Sequence, residues 1–292
     1  MAKLQIPDAL KADVPQTKWG KILTATPVIM TVIATALAGL ASSEMTRAQY
    51  SRSLAAQQQS KAGDQWGFFQ AKRLRGALQR STLDVLQATT DIHPFTHFEL
   101  EGQTLAALTK GELPALPVAP AMDPNIKAAL QAVEERKPDG ETAKILAQVK
   151  DEALDEAVRA AQDRAQAFDN ATSPINQVVD RLDTSLSGGD KSVSRDFTAA
   201  RLRYTAARYD SEARLNQAIA SLYELQVRKG NLEAERHHKR SQQFFYGMLA
   251  AQAAVIISTF SLAAQKRSLL WSLAAAAGAA AVSFAIYVYL FV

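Results

Sequence analysis

Residues 244–292 read FFYGMLAAQAAVIISTFSLAAQKRSLLWSLAAAAGAAAVSFAIYVYLFV. Two long runs without a charge, 244–264 and 269–292, are separated only by Gln265, Lys266, Arg267 and Ser268. A helix needs about 20 apolar residues to cross about 30 Å of hydrocarbon. The second of these runs extends ~36 Å at 1.5 Å per residue, enough to span with some tilt. So short a polar turn between two such runs predicts a hairpin of transmembrane helices.

Toward the N-terminus a third charge-free run, ILTATPVIMTVIATALAGLASS, occupies 22–43. A secretory signal is the competing account, because Ala36-Leu37-Ala38 mimics a small-residue cleavage site after a basic region. We read the run as a retained span. Pro27 falls early in it, where lost backbone hydrogen bonding costs least. Lys18, Trp19 and Lys21 precede this span, His237, His238, Lys239 and Arg240 precede the next, and Lys266, Arg267 and Trp271 mark the hairpin turn. All are residue types that anchor helices at a membrane interface.

The expected fold class is an all-α membrane protein with three transmembrane helices. A long helical, partly coiled-coil extramembrane segment lies between the first and second spans. The chain divides into a basic flank (1–21), span 1 (22–43), a helix (44–90), a Pro-rich linker (91–123), a helical segment (124–240), span 2 (244–264) and span 3 (269–292). Three crossings put the first flank and the hairpin turn on one side, and the large segment on the other. Both short loops are basic, which favours a periplasmic large segment in a bacterial inner membrane. Arg236, Lys239 and Arg240 beside span 2 argue the other way, so orientation stays open.

Charge bears on partners. The chain holds 33 Lys and Arg against 29 Asp and Glu, but the 44–240 segment balances at 27 of each. A nucleic-acid binder would concentrate its cations on the folded domain, so none is expected. Without Cys, disulfides and thiol chemistry are excluded.

Between the spans, Ala71, Leu74, Leu78 and Val85 recur at helical spacing and predict one apolar face. Asp64, Gln65, Trp66 and Phe69 form a cluster with large rigid contact area and groups able to fix register. Five prolines between 91 and 124 predict an irregular linker. Asp123-Pro124 reads as an N-cap and first helical residue. A helix is expected over 141–168, a new start at Ser173-Pro174, and a stop at Gly188-Gly189. From about 194 to 240, Ala218, Leu222, Leu225 and Leu232 fit heptad positions, with Leu215 also among the apolar residues.

The Asp64-Gln65-Trp66 cluster, the His237-His238-Lys239-Arg240 stretch, and Lys266-Arg267 ahead of Trp271 resemble a bacterial family of uncharacterised three-span membrane proteins. That family carries a Ser-Asp-Gln-Trp-aromatic-Gln-Ala-Lys type motif after its first span. Gly63 stands here for the usual Ser and Phe69 for the usual Tyr, and the likeness covers roughly 18–88 and 195–292. The resemblance implies the topology and no activity.

Chemistry is sparse. No phosphate loop, dinucleotide fingerprint or protease motif is present. His93 and His97 could share a metal only on a helix, which Pro94 opposes. Asp151, Glu152, Asp155 and Glu156 read as a solvated acidic face. No cofactor or metal is expected.

Function is therefore read as non-enzymatic: self-association into a homo-oligomer, as a scaffold or envelope assembly factor, possible partners being the lipid bilayer and another membrane protein. The seam residues are Asp64, Gln65, Trp66, Phe69, Leu74, Leu78, Leu215, Leu222 and Leu225. Ala274, Gly278 and Ala281 would let membrane helices approach closely, and Gln252 would hydrogen-bond between helices. The alternative is a channel or transport accessory in which Gln252 lines a path between subunits.

Overall fold

The computed structural model describes residues 18–96, 100–116, 118, 121–263 and 267–291, without the side chains of Trp19, Leu23, Leu262, Ala263, Arg267 and Ser268. Most of the basic flank, His97, Lys266, Val292 and the side chains of Trp19 and Arg267 lie outside the described residues, so the expectations placed on them do too. Every regular element described is helical: α1 Lys18–Thr89, α2 Gly102–Lys110, α3 Pro124–Glu134, α4 Asp139–Leu146, α5 Asp151–Leu186, α6 Lys191–Ala263 and α7 Arg267–Phe291. The chain divides into two compact units, one of Met1–Ser53 with Gly230–Val292, the other Leu54–Lys229.

The first unit joins the N-terminal part of α1, the C-terminal part of α6, and α7. These three helices each contain an apolar window long enough to cross a membrane. Only 22, 28 and 17% of the residues in those windows are buried within the protein. Val28, Val32, Ile256, Phe260, Leu273 and Ile286 all face outward. Apolar surface of this extent is costly in water and at rest in hydrocarbon.

What the spans do bury is small. Ala34, Leu37, Ala251 and Ala281 form their centre, with Ile33, Phe244 and Met248 packed around it. A Cβ at Gly247 would sit 3.2 Å from the Ala281 carbonyl oxygen and 3.2 Å from both Leu37 Cδ1 and Phe284 Cβ, so α6 and α7 touch nearly backbone to backbone there. Ser241 Oγ donates to the Ala41 carbonyl at 2.8 Å, and Trp271 Nε1 to Thr26 Oγ1 at 3.3 Å. Pro27 sits inside α1, and Thr31 Oγ1 donates to its carbonyl at 2.8 Å.

In the second unit α1 and α6 run antiparallel, as the ascending and descending partners show: Lys61 over the Tyr223 ring, Lys72 with Glu212, and Gln79 with Thr205. Their contact follows a strict seven-residue repeat of mostly small side chains. On α1 it reads Ala55, Ala62, Phe69, Gly76, Leu83, and on α6 Ala199, Ala206, Ala213, Ala220, Val227. A Cβ at Gly76 would meet Asp210 Oδ1 at 3.2 Å and the Ala206 carbonyl oxygen at 3.6 Å, which shows how closely the helices approach. The heptad expected on Ala218, Leu222, Leu225 and Leu232 is thus a different face of α6 from the one that meets α1.

Three sequence expectations change. The 91–123 stretch is not wholly irregular, because α2 forms within it and buries Ala107 and Leu108 against Ile175, Val179, Leu182, Phe197 and Tyr204. Its stop is Gly111, whose φ of 72° releases the chain while its N–H donates to the Ala107 carbonyl at 2.9 Å and the Glu112 N–H to the Ala106 carbonyl at 3.3 Å. The helix expected over 141–168 is broken between α4 and α5, where Lys229 Nζ donates to the Val149 carbonyl at 2.7 Å and pairs with Asp151. Conversely, Ser173-Pro174 starts nothing. The α5 helix runs straight through Pro174 because Phe168, Thr172 and Ile175 are all at most 2% exposed, and their burial outweighs the missing hydrogen bond. As the sequence suggested, Asp123 caps α3, accepting from the Asn125 N–H at 2.7 Å.

Candidate functional site

The sequence cluster on α1 separates into an inward and an outward set. Gln65, Trp66 and Phe69 point inward and are half-buried, and the Trp66 and Phe69 rings meet edge to face at 5.4 Å. Asp64 is exposed. The apolar face predicted at Ala71, Leu74, Leu78 and Val85 lies outside the unit altogether, with Leu74, Leu78 and Val85 at 63, 57 and 60% exposure. Helical geometry explains the split, since residues 69, 72, 76 and 83 already take the face toward α6 and leave 71, 74, 78 and 85 on the far side. Leu215, Leu222 and Leu225 are buried within the same chain at 7, 1 and 0% exposure.

One to two turns beyond Trp66 a polar layer crosses the α1, α5 and α6 contact. Lys72 and Arg208 both pair with Glu212, the latter at 3.2 Å. Arg208 also donates to Asn176 Oδ1 at 2.5 Å, and the Tyr204 hydroxyl donates to the same oxygen at 2.8 Å. Burial pushes the Tyr204 phenol up to about 12, only partly offset by the Arg208 charge. Burial first and the Glu212 charge second raise the Asp169 carboxyl nearby. Arg208 lies 5.0 Å from the Tyr209 ring centroid and Lys72 5.3 Å, so the two cations share one aromatic ring. Lys72 on α1, Asn176 on α5, and Tyr204, Arg208 and Glu212 on α6 thus tie the three helices in one register. No local sequence pattern marks Lys72, Arg208, Glu212 or Asn176 as members of this layer.

Trp66 instead lines a groove of about 790 Å³. Its walls come from α3, α5 and α6, with Met122 at one edge. On α5, Ala153, Ala157, Ala160 and Ala161 leave the trough open, and on α6 Leu215, Ala218 and Leu222 form the facing wall. Arg164 and Arg214 line the groove, as do Asp123, Glu134, Glu156 and Glu224.

In the first unit the histidine stretch has a partner that the sequence did not reveal. His237 Nδ1 lies 2.6 Å from Glu44 Oε2, and Arg47 donates to the other Glu44 oxygen at 3.3 Å. Both residues flank apolar runs, Glu44 directly after the first and His237 shortly before the second, which is the signal that the sequence offered. His238 Nε2 lies 3.1 Å from Gln242 Nε2, Lys239 pairs with Glu235 at 2.7 Å, and the Arg240 side chain is half-buried. Lys18 and Lys21 are exposed. Ala274 and Ala281 are fully buried, and a Cβ at Gly278 would lie 2.5 Å from Met30 Cε, so the small-residue stripe meets α1 of the same chain. Gln252 faces outward and has no intrachain hydrogen bond among the described residues.

No group of three or more His, Asp or Glu able to hold a metal ion occurs among the described residues. His93 is exposed, and its backbone N–H donates to Asp196 Oδ1 at 3.1 Å. No family model, curated protein or solved structure matches the chain.

Proposed function

We propose that this chain is a non-enzymatic integral membrane protein that assembles with copies of itself through the outward face of α1, acting as a scaffold in a bacterial inner membrane. The carrying observation is that face: Leu74, Leu78 and Val85 project from a helix outside the apolar windows, at helical spacing, and stay 57–63% exposed among the described residues. Three large apolar side chains in one line on a soluble surface mark an interaction site. A second copy is the occupant that needs no further component, and a two-fold seam matches any patch to itself. Outward-facing Gln252 supports the same reading within the membrane, where an amide gains by pairing across helices. The resemblance to three-span membrane proteins of unknown activity agrees with it and adds no chemistry.

The absence of Cys makes the test direct. Leu78→Cys, oxidised in native membranes, should yield a disulfide-linked dimer, since such bonds need Cα atoms within about 7 Å. Ala62→Cys, on the inward seam, should yield none. Monomer only from Leu78→Cys and Leu74→Cys, with full-length protein monomeric in mild detergent, would remove the proposal. The second reading, a channel or transport accessory, rests on Gln252 alone: it requires several copies to turn that amide toward a shared path, and crosslinking at residue 252 without crosslinking at residue 78 would favour it.

A further inference from the structure

We infer that the groove beside Trp66 binds a long-chain carboxylate, with its hydrocarbon tail in the alanine-walled trough and its head group at Arg164. The site is separate from the outward face of α1 and does not depend on self-association.

Size and lining come first. A volume of about 790 Å³ lies inside the roughly 300–1,000 Å³ range of sites that enclose small organic ligands. Alanines on α5 stand where leucines would close the space, so the trough is built into the sequence. Such an apolar hollow is poorly hydrated and favours an apolar occupant.

Charge then selects the head group. Gln226 Nε2 donates to Asp155 Oδ1 at 2.7 Å and Arg208 donates to Asn176, so α5 runs antiparallel to α6. Glu156 and Glu224 therefore lie toward one end. Arg164 lies ~12 Å along α5 from Glu156, and Arg214 ~15 Å along α6 from Glu224, both toward the other end. Neither arginine forms an ion pair among the described residues. Arg164 borders the groove and stays partly exposed, so a carboxylate entering the groove gives its guanidinium a charge-assisted bond. The four carboxylates of the lining, Asp123, Glu134, Glu156 and Glu224, exclude a second anionic group on the ligand, which points to a tail with a single charged terminus. The Trp66 indole contributes a flat wall against the chain.

The experiment uses the full-length protein in lipid nanodiscs, carrying Trp19→Phe and Trp271→Phe so that Trp66 is the sole indole. 9,10-Dibromostearate, a contact quencher, is titrated in, with the corresponding dibromo-alcohol as the neutral-headed control. Saturable quenching of Trp66 by the acid is expected, with about tenfold weaker binding in Arg164→Gln, the size of one charge-assisted hydrogen bond. Partial recovery is expected in Arg164→Lys. Filling the trough with Ala157→Leu should abolish quenching while helicity by circular dichroism is kept. Absence of saturable quenching overturns the site. Equal affinity for acid and alcohol, or an unchanged affinity in Arg164→Gln, overturns the assignment of the head group.

Discussion

Gly247 and Gly278 make a sharp test of how these helices pack, because the simple steric reading and the physical one give opposite rankings. A methyl group at Gly278 would lie 2.5 Å from Met30 Cε and 2.8 Å from its Sδ, whereas one at Gly247 would lie no closer than 3.2 Å from anything. On distance alone Gly278→Ala is the worse change. Yet the obstacle at Gly278 is the far end of an unbranched side chain with three rotatable bonds, which can move at about 0.5–1.5 kcal/mol for an imperfect rotamer. Replacing a helical glycine returns at most about 1 kcal/mol. Gly278→Ala should therefore fall within about 1 kcal/mol of the parent. At Gly247 the neighbours are the Ala281 carbonyl oxygen and Phe284 Cβ, both fixed to the α7 backbone, with Leu37 Cδ1 on the third side. A methyl there must push α6 and α7 apart, an overpacking that costs about 1–3 kcal/mol and, with the full glycine gain, leaves a net loss of up to about 2 kcal/mol. Unfolding by SDS titration in mixed micelles, followed by circular dichroism, measures both variants. Gly278→Ala proving as destabilising as Gly247→Ala would refute the argument, since it would mean that Met30 is held as rigidly as backbone.

Further outcomes follow from the second unit and from the outer surfaces of the apolar helices. Glu212→Ala strands Lys72 and Arg208 without their shared carboxylate, and should cost about 3 kcal/mol in chemical denaturation, the low end for a broken buried pair because Lys72 keeps 28% exposure. Tyr204 ionises in the unfolded chain near 10 and in the folded protein at about 12. The folded state therefore holds the proton longer, its stabilisation is complete below pH 10, and up to about 2–3 kcal/mol is lost as pH rises to 12. Tyr204→Phe should remove that alkaline loss, seen in stability measured across pH 9–12. Val32, on the outer surface of the first apolar window at 64% exposure, should tolerate Leu, while Val32→Arg raises the cost of insertion by about 2.5–3.5 kcal/mol. Carbonate extraction of membranes reads the difference, and an unaffected Val32→Arg would count against membrane embedding.

Some of this protein can be read one residue run at a time. Three charge-free stretches longer than 20 residues identify their helices because length and transfer energy are local sums, and no partner is needed to evaluate them. The same holds for Asp123-Pro124, where the cap acts on a backbone N–H two residues away. The candidate site was partly legible: Trp66 stood out, but as part of a seam rather than the wall of a groove.

The rest required the partner helices. Ala71, Leu74, Leu78 and Val85 form the more hydrophobic face of α1, yet the chain buries the face bearing Ala55, Ala62 and Gly76. Small side chains allow the α1 and α6 backbones to approach, and a hydrophobicity pattern gives least weight to the residues that make this possible. Pro174 stays helical and 102–110 becomes a helix because burial of Ile175 and Leu108 repays local penalties that sequence windows count in full. The pairs Glu44 with His237 and Glu212 with Lys72 join positions more than a hundred residues apart, so only the antiparallel course of α1 and α6 within each unit brings them together. Sequence alone determined which segments prefer hydrocarbon; the tertiary structure decided which face of each helix is inside, because that choice depends on how closely two surfaces fit and not on how apolar either one is.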